Sequence, residues 1–448
     1  MEKARLIVKN FGPLKDIAIE VREMVTFIGA QASGKSTLAK LLSILEDENF
    51  RRDHKITFEG ELKKYNIFSY LRKDTFISYD NLSSSINFPF KFEYTNGQFE
   101  KGTPLEILSH LKTISKEDRD KNKDILFPVI INALCWNIDY SLSHNPKIFF
   151  DLFSNSQEKI DLLQKIVNQR KTKQRPAIEE SDINTILNFL NKEKNVDNLI
   201  ELYETVITLF PRVFLFDSLY IPTERIFLHL IAENTLGLIN NNVQIPKHLL
   251  ESGQDYEKAL HTIKELPLTI IDKKIKYKRE GKTSYIYHNE VEKVDLLESA
   301  SGLQSIIPIL LLVEYAKSQK DKYNFNFVVE EPELNLYPKA QHELIKYLVG
   351  NCLFDRKNLI ITTHSPFVLA SLNNLLLAHE KGIAKPKEVS KIIKKESWLN
   401  PKNFIAYELK NGKAKKIMDD KLGLIKENMI DSVTDAFSDE FDKLLDTI

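Results

Sequence analysis

The stretch Gly29-Ala30-Gln31-Ala32-Ser33-Gly34-Lys35-Ser36 constrains this chain more than any other. It fits the spacing G-x-x-x-x-G-K-S/T and stands between an apolar run, Val25 to Ile28, and a segment with Leu38, Leu41, Leu42 and Leu45 on one helical face. An apolar run ending in glycine reads as a buried strand entering a loop, and the leucine spacing predicts a helix from about Ser36 to Leu45. Strand, glycine-rich loop and helix in that order make a cradle for polyphosphate. The glycines let backbone amides curl around the anion, and the helix start adds the positive end of its dipole. Lys35 is expected against the β- and γ-phosphates and the Ser36 hydroxyl on Mg²⁺. The candidate nucleotide-binding residues are Gly29, Ala32, Ser33, Gly34, Lys35, Ser36 and Thr37. A chance glycine-rich turn is the alternative, and the flanking strand and helix disfavour it.

Two more apolar strands end in polar chemistry. Phe327-Val328-Val329-Glu330-Glu331-Pro332-Glu333 closes on adjacent carboxylates. Alone this is a solvated turn; beside a phosphate loop, Glu330 suits the Mg²⁺ shell and Glu331 suits polarising an attacking water. Ile360-Ile361-Thr362-Thr363-His364-Ser365-Pro366 follows one strand–helix–strand unit later. His364 is either a structural histidine or a group that reaches the γ-phosphate or its water. Ser299-Ala300-Ser301-Gly302-Leu303-Gln304 precedes an apolar helix and reads as an anion-binding corner or as an ordinary N-cap.

Length and charge bound the rest. At 448 residues, the chain has room for about two or three lobes. Its 63 Lys plus Arg balance 63 Asp plus Glu, which argues against a surface coated by nucleic acid but leaves room for a local basic patch. The two cysteines, Cys135 and Cys352, stand far apart, so a disulfide framework or cysteine zinc site is not expected. No signal-peptide core is seen at the N-terminus, and the run Ile306 to Val313 is too short to span a bilayer. The chain is expected to be cytoplasmic and off the membrane.

Strands are expected at Leu6–Lys9, Ile17–Glu20 and Val25–Ile28, with a hairpin turning at Asn96-Gly97. From Pro104 to Pro267 the pattern is mostly helical, interrupted by strand-like Val213 to Ile221. Strands resume at Ile270–Lys278 and Thr283–Tyr287, and a late hairpin turns at Asn411-Gly412. The expected fold is α/β: a P-loop head with a mixed β-sheet, formed by residues 1–103 and 268–448, and a large helical insertion, 104–267. The insertion carries Lys165, Arg170, Lys171, Lys173 and Arg175. That cluster either touches phosphates or, with Glu179, Glu180 and Asp182 following, is a solvated face.

Taken in chain order, these motifs resemble the ABC-type ATPases of the branch that holds SMC proteins, RecF and the OLD (overcoming lysogenization defect) family. "IVKNFGPLKDIAIE", "EEPELNLYP" and "TTHSP" carry the resemblance, over about residues 1–100 and 270–410. It implies ATP and Mg²⁺ as cofactors, and a head-to-head dimer with ATP between one subunit's phosphate loop and the other's signature. Lys35 and Ser36 match the Walker A pair, Glu330 the Walker B metal carboxylate and Glu331 the catalytic base. Ser301 and Gly302 match the signature, His364 the switch histidine, and Glu333 to Pro338 the D-loop that crosses the dimer.

Three departures accompany the match. Walker B carries Glu330 where Asp is commoner, the signature reads Ser-Gly-Leu-Gln, and no glutamine Q-loop is obvious. Glu224 or Arg225, after the strand-like Leu219 to Ile221, serves in the Q-loop's place or is a surface ion pair. OLD proteins carry a nuclease domain after the ATPase. Here the tail reads as a hairpin and a terminal helix, whose Asp439-Glu440-Phe441-Asp442 run shares that helix with Phe437, Leu444 and Leu445. No nuclease in cis is expected. Stand-alone ATPases of this look resemble those paired with separate nucleases in anti-phage systems such as Septu and PARIS. The expected function is thus a dimeric ATP-hydrolysing switch governing a nuclease effector, possible DNA contact included. A RecF-like repair ATPase and a non-hydrolysing, nucleotide-gated scaffold are the alternatives.

Overall fold

The computed structural model describes residues 4–47, 50–51, 56–80, 90–102, 216–241, 243–319, 324–353 and 358–447. Most of the expected insertion, with its basic cluster, lies outside the described residues. β1 (Ala4–Phe11) and β2 (Leu14–Val21) form an antiparallel pair that buries Leu6, Val8, Ile17 and Ile19. β3 (Met24–Gly29) is buried along its whole length, as befits a strand covered on both faces. α1 (Lys35–Leu45) follows the loop and packs Leu38, Leu41, Leu42 and Leu45 inward. Next come α2 (Phe58–Lys64), β4 (Phe76–Asp80), β5 (Lys91–Thr95) and β6 (Gln98–Gly102). The β5–β6 hairpin turns through Asn96 and Gly97, both at positive φ, the conformation Asn-Gly favours.

The chain re-enters at β7 (Phe216–Ile221), α3 (Leu228–Asn240) and α4 (Lys247–Thr262). β8 (Glu265–Pro267), β9 (Lys276–Glu280), β10 (Thr283–Tyr287) and β11 (Lys293–Asp295) then form a small antiparallel sheet. The last part holds α5 (Ser301–Ser318), β12 (Asn324–Glu330), α6 (Pro338–Cys352), β13 (Asn358–Thr363), α7 (Pro366–Ala384), β14 (Phe404–Lys410), β15 (Lys413–Lys416) and α8 (Met429–Leu445). Among the described residues the main sheet runs β6-β5-β4-β1-β2-β15-β14-β3-β13-β12-β7. Its block β14-β3-β13-β12-β7 is parallel, while β1, β2, β4, β5 and β6 pair antiparallel. This is the mixed-sheet α/β head that the sequence implied.

Two details differ from the sequence reading. Residues 216–262, expected to end the insertion, supply part of the head: β7 pairs in parallel with β12 from Phe216 to Ile221, and α4 packs on α5 and β7. The strand expected from Ile270 begins only at Lys276, because Ile271 and Asp272 donate their amides back to Leu268 O and close a turn. At the end of α1 away from the loop, buried Glu46 anchors the helix to the sheet, accepting from Asn326 (2.8 Å) and Asn358 (3.0 Å). α8 is closed by a capping box between Asn428 and Asp431, yet its apolar stripe faces outward, with Phe437 66% and Phe441 62% exposed. Asp439, Glu440 and Asp442 share that exposed helix. Among the described residues no helix is long and apolar enough to cross a membrane.

Candidate active site

Parallel strands present their carboxyl ends on one edge of a sheet, where α/β proteins place ligands. Here β3, β13, β12 and β7 end in that order at the Gly29 loop, at Thr363-His364, at Glu330-Glu331 and at Ile221-Pro222. Three of the sequence motifs, and a fourth segment recognised only as a possible substitute, therefore share one edge. The register aligns them: Glu330 faces Thr362, and Thr363 faces Ile28.

The loop after β3 carries two residues in the left-handed region, Ala32 (φ 60°) and Gly34 (φ 99°). A Cβ on Gly34 would also stand 2.5 Å from Leu14 Cδ2, so the second glycine of the motif is demanded by both backbone and space. Gly34 is the N-cap of α1 and supplies no side-chain cap, which leaves the first amides of the helix for an anion. Lys35 is 5% exposed, and its Nζ donates to Gly29 O (2.9 Å) and Ala30 O (3.0 Å). Burial pulls its pKa down, opposed by the charges of Glu331, Glu333 and Glu330. Thr37 is buried.

Glu330 is 2% exposed, and its Oε1 has no hydrogen-bond partner. Burial raises its pKa; the Lys40 charge and the Ser36 and Tyr220 hydroxyls facing it act the other way. Tyr220, on β7, was not singled out by sequence, although it stands two residues before Pro222 on a strand that ends like the other three. Glu331 adopts φ 42°, uncommon for a residue with a side chain. Its amide donates to Thr362 O (2.9 Å), and its Oε1 meets His364 Nε2 at 3.2 Å. Glu331 and His364 thus stand as a contacting acid–imidazole pair, both part exposed at the edge.

Glu333 also turns inward. Its Oε1 accepts from Thr363 Oγ1 and from the His364 amide, both at 2.7 Å. Burial raises its pKa against those hydrogen bonds. Within this chain Glu333 therefore ties the turn after β12 to the histidine segment, whereas Tyr337 further along is 78% exposed. Ser301 is exposed and Gly302 part-buried at the uncapped start of α5. A Cβ on Gly302 would stand 2.8 Å from Asn335 O, so this glycine lets the helix start lie against the turn after β12. Among the described residues no hydrogen bond joins Ser301 or Gly302 to the Gly29 loop.

Arg225 is not a surface ion pair. It is fully buried, while Glu224 is exposed and accepts from Thr223. The guanidinium donates to backbone carbonyls only: Nε to Ser305 O (3.0 Å), Nη1 to Pro222 O (3.2 Å) and Glu330 O (2.8 Å), Nη2 to Glu331 O (2.8 Å). Burial holds its pKa down to about 10, against the pull of Glu333, Glu331 and Glu330. The group stays charged at neutral pH.

The residues fit a nucleotide with a divalent cation. Glu330 offers a buried carboxylate oxygen that nothing in the protein satisfies, and the Ser36 hydroxyl faces the same carboxylate. Such an orphaned oxygen is costly unless a ligand takes it up.

Solved structures similar to this chain include the Smc head domain with an extended coiled coil bound to the C-terminal domain of ScpA from Pyrococcus furiosus (13% identity, TM-score 0.33, covering 93% of this chain and 96% of that one). The SMC head domain of Thermotoga maritima is another (9% identity, TM-score 0.36, covering 93% and 98%). A third is the recombination mediator protein RecF-ATPrS of the RecFOR pathway (14% identity, TM-score 0.30, covering 93% and 98%). No curated protein matches the sequence. The model of the AAA ATPase domain matches residues 1–369, most of the chain and every strand end of the site, and the protein belongs to that family.

Proposed function

We propose that this ATPase-family chain is an ATP-hydrolysing switch of the OLD/RecF-like class that closes as a homodimer around nucleotide and Mg²⁺. We further propose that it is the ATPase subunit of a bacterial anti-phage system and governs a separate nuclease chain. The single observation that carries the hydrolytic reading is the convergence of Lys35, Glu330 and the Glu331–His364 pair on one sheet edge. Bound MgATP supplies the phosphoanhydride and the metal charge that steadies it. Lys35 balances phosphate charge from inside the loop. Glu330 and the Ser36 hydroxyl would hold the cation. Glu331 takes the proton of the attacking water, and His364, whose Nε2 lies 3.2 Å from Glu331 Oε1, orients that carboxylate. Exposed Ser301 and part-buried Gly302, at the uncapped start of α5, suit contact with a second copy's nucleotide rather than their own.

The test is Glu331→Gln. An amide keeps the shape but accepts no proton, so the variant should bind MgATP, release no phosphate and remain a dimer in light scattering. Wild-type turnover by this variant would place the base elsewhere and sink the reading. For the effector, a nuclease that co-purifies from the native cell, bound only with nucleotide, is the expected finding; DNA-stimulated turnover with no bound effector would favour the repair alternative.

A further inference from the structure

We infer that Arg225 is a positioning residue that couples the signature helix α5 to Glu331 and keeps that carboxylate in its catalytic geometry. The inference rests on the reading of Glu331 as the base.

Buried arginines ordinarily meet a carboxylate. This guanidinium meets four backbone carbonyls instead, one each from Pro222, Ser305, Glu330 and Glu331. Those carbonyls belong to three segments: the turn after β7, the second turn of α5, and the end of β12. The planar fork of five donors is what lets one side chain bridge them; a lysine has a single nitrogen to offer.

Glu331 is where the bridging matters. Its φ of 42° is a conformation that residues with side chains rarely adopt and that persists only when surroundings enforce it. Its amide is held by Thr362 O and its carbonyl by Arg225 Nη2. The peptide groups on both sides are thereby fixed, and the side chain is aimed at His364 Nε2. Because Nε of the same guanidinium holds Ser305 O, a shift of α5 pulls directly on the Glu331 backbone. α5 begins at Ser301, so contact between the signature and a second copy's nucleotide is felt at the base. The link gives hydrolysis a reason to wait for dimer closure.

The experiment compares wild type, Arg225→Lys, Arg225→Gln and Glu331→Gln by phosphate release, ATP calorimetry and circular dichroism. Losing bridges from a charged donor should lower kcat of Arg225→Lys roughly 10- to 100-fold, with KM and ATP affinity within about threefold of wild type. Arg225→Gln should fall further, and the pH profile of residual turnover in Arg225→Lys should move, because the base is no longer held against His364. Unchanged kcat in a folded Arg225→Lys protein would overturn the inference. So would a raised KM at unchanged kcat, which would make Arg225 a nucleotide contact. Loss of fold in both Arg225 variants would make the residue a determinant of stability and overturn it too. Full turnover by Glu331→Gln would instead defeat the assignment of the base, and with it the coupling drawn here.

Discussion

Glu330→Gln should make the ligand-free protein more stable and the ligand-bound protein less so. Glu330 sits at the end of β12 at 2% exposure, with Oε1 unpartnered. Leaving such an oxygen unsatisfied costs about 1–3 kcal/mol, and more while it is charged. Gln removes the negative charge and with it the pull of Lys40, while its amide stays as unpartnered as the oxygen it replaces, so any gain comes from the charge alone. Only the excess cost of an orphaned group that is charged rather than neutral is recovered, on the order of 1 kcal/mol at neutral pH, read as a small rise in Tm by calorimetry without nucleotide. The sign with pH is fixed by the raised pKa. A carboxyl whose folded pKa lies above its unfolded value contributes stability below the unfolded pKa and loses it as pH rises through the folded one. The advantage of the variant is therefore largest at neutral and alkaline pH and closes as the wild-type group takes its proton in mild acid. MgATP at a hundredfold excess over Kd should add about 2.7 kcal/mol to wild type and far less to the variant. A variant less stable than wild type without ligand, or one with an undiminished Mg²⁺-dependent shift, would refute the view of Glu330 as a metal carboxylate waiting for its ion.

Two further outcomes are expected. Lys35→Ala should weaken ATP binding by about 1.5–3 kcal/mol, the worth of a charge-assisted contact, with an unchanged circular dichroism spectrum; calorimetry decides, and unaltered affinity would reject the phosphate role. Gly382→Ala, on α7, would set a Cβ 2.2 Å from the Trp398 ring, which Nε1 holds at 2.9 Å from Ile393 O. Overpacking there should cost about 1–3 kcal/mol, more than the helix propensity of Ala returns, so Tm falls while ATP turnover per folded molecule stays as in wild type.

The strand, glycine-rich loop and helix of residues 24–45 were legible because their signals are local. Gly34 needs a left-handed backbone, Lys35 and Ser36 follow it in sequence, and the apolar runs on both sides announce strand and helix. The carboxylate and histidine turns could be read the same way, each as a buried strand ending in polar residues. The Asn96-Gly97 turn was legible for the same reason.

What sequence could not decide is which of those strand ends lie side by side. That β13 stands between β3 and β12, bringing His364 to Glu331, depends on the pairing of strands far apart in the chain. The place of β7 as a member of the head was equally hidden, since its partner β12 lies beyond the small sheet and α5. Arg225 shows the difference most plainly. Its type and its neighbours Thr223 and Glu224 suggest a solvated turn, and nothing local distinguishes that from a buried hub. Only the folded chain brings the carbonyls of Ser305, Glu330 and Glu331 within reach of one guanidinium. Backbone carbonyls carry no sequence signal, because every residue has one, so a side chain that bonds only to them is invisible until the fold supplies its partners.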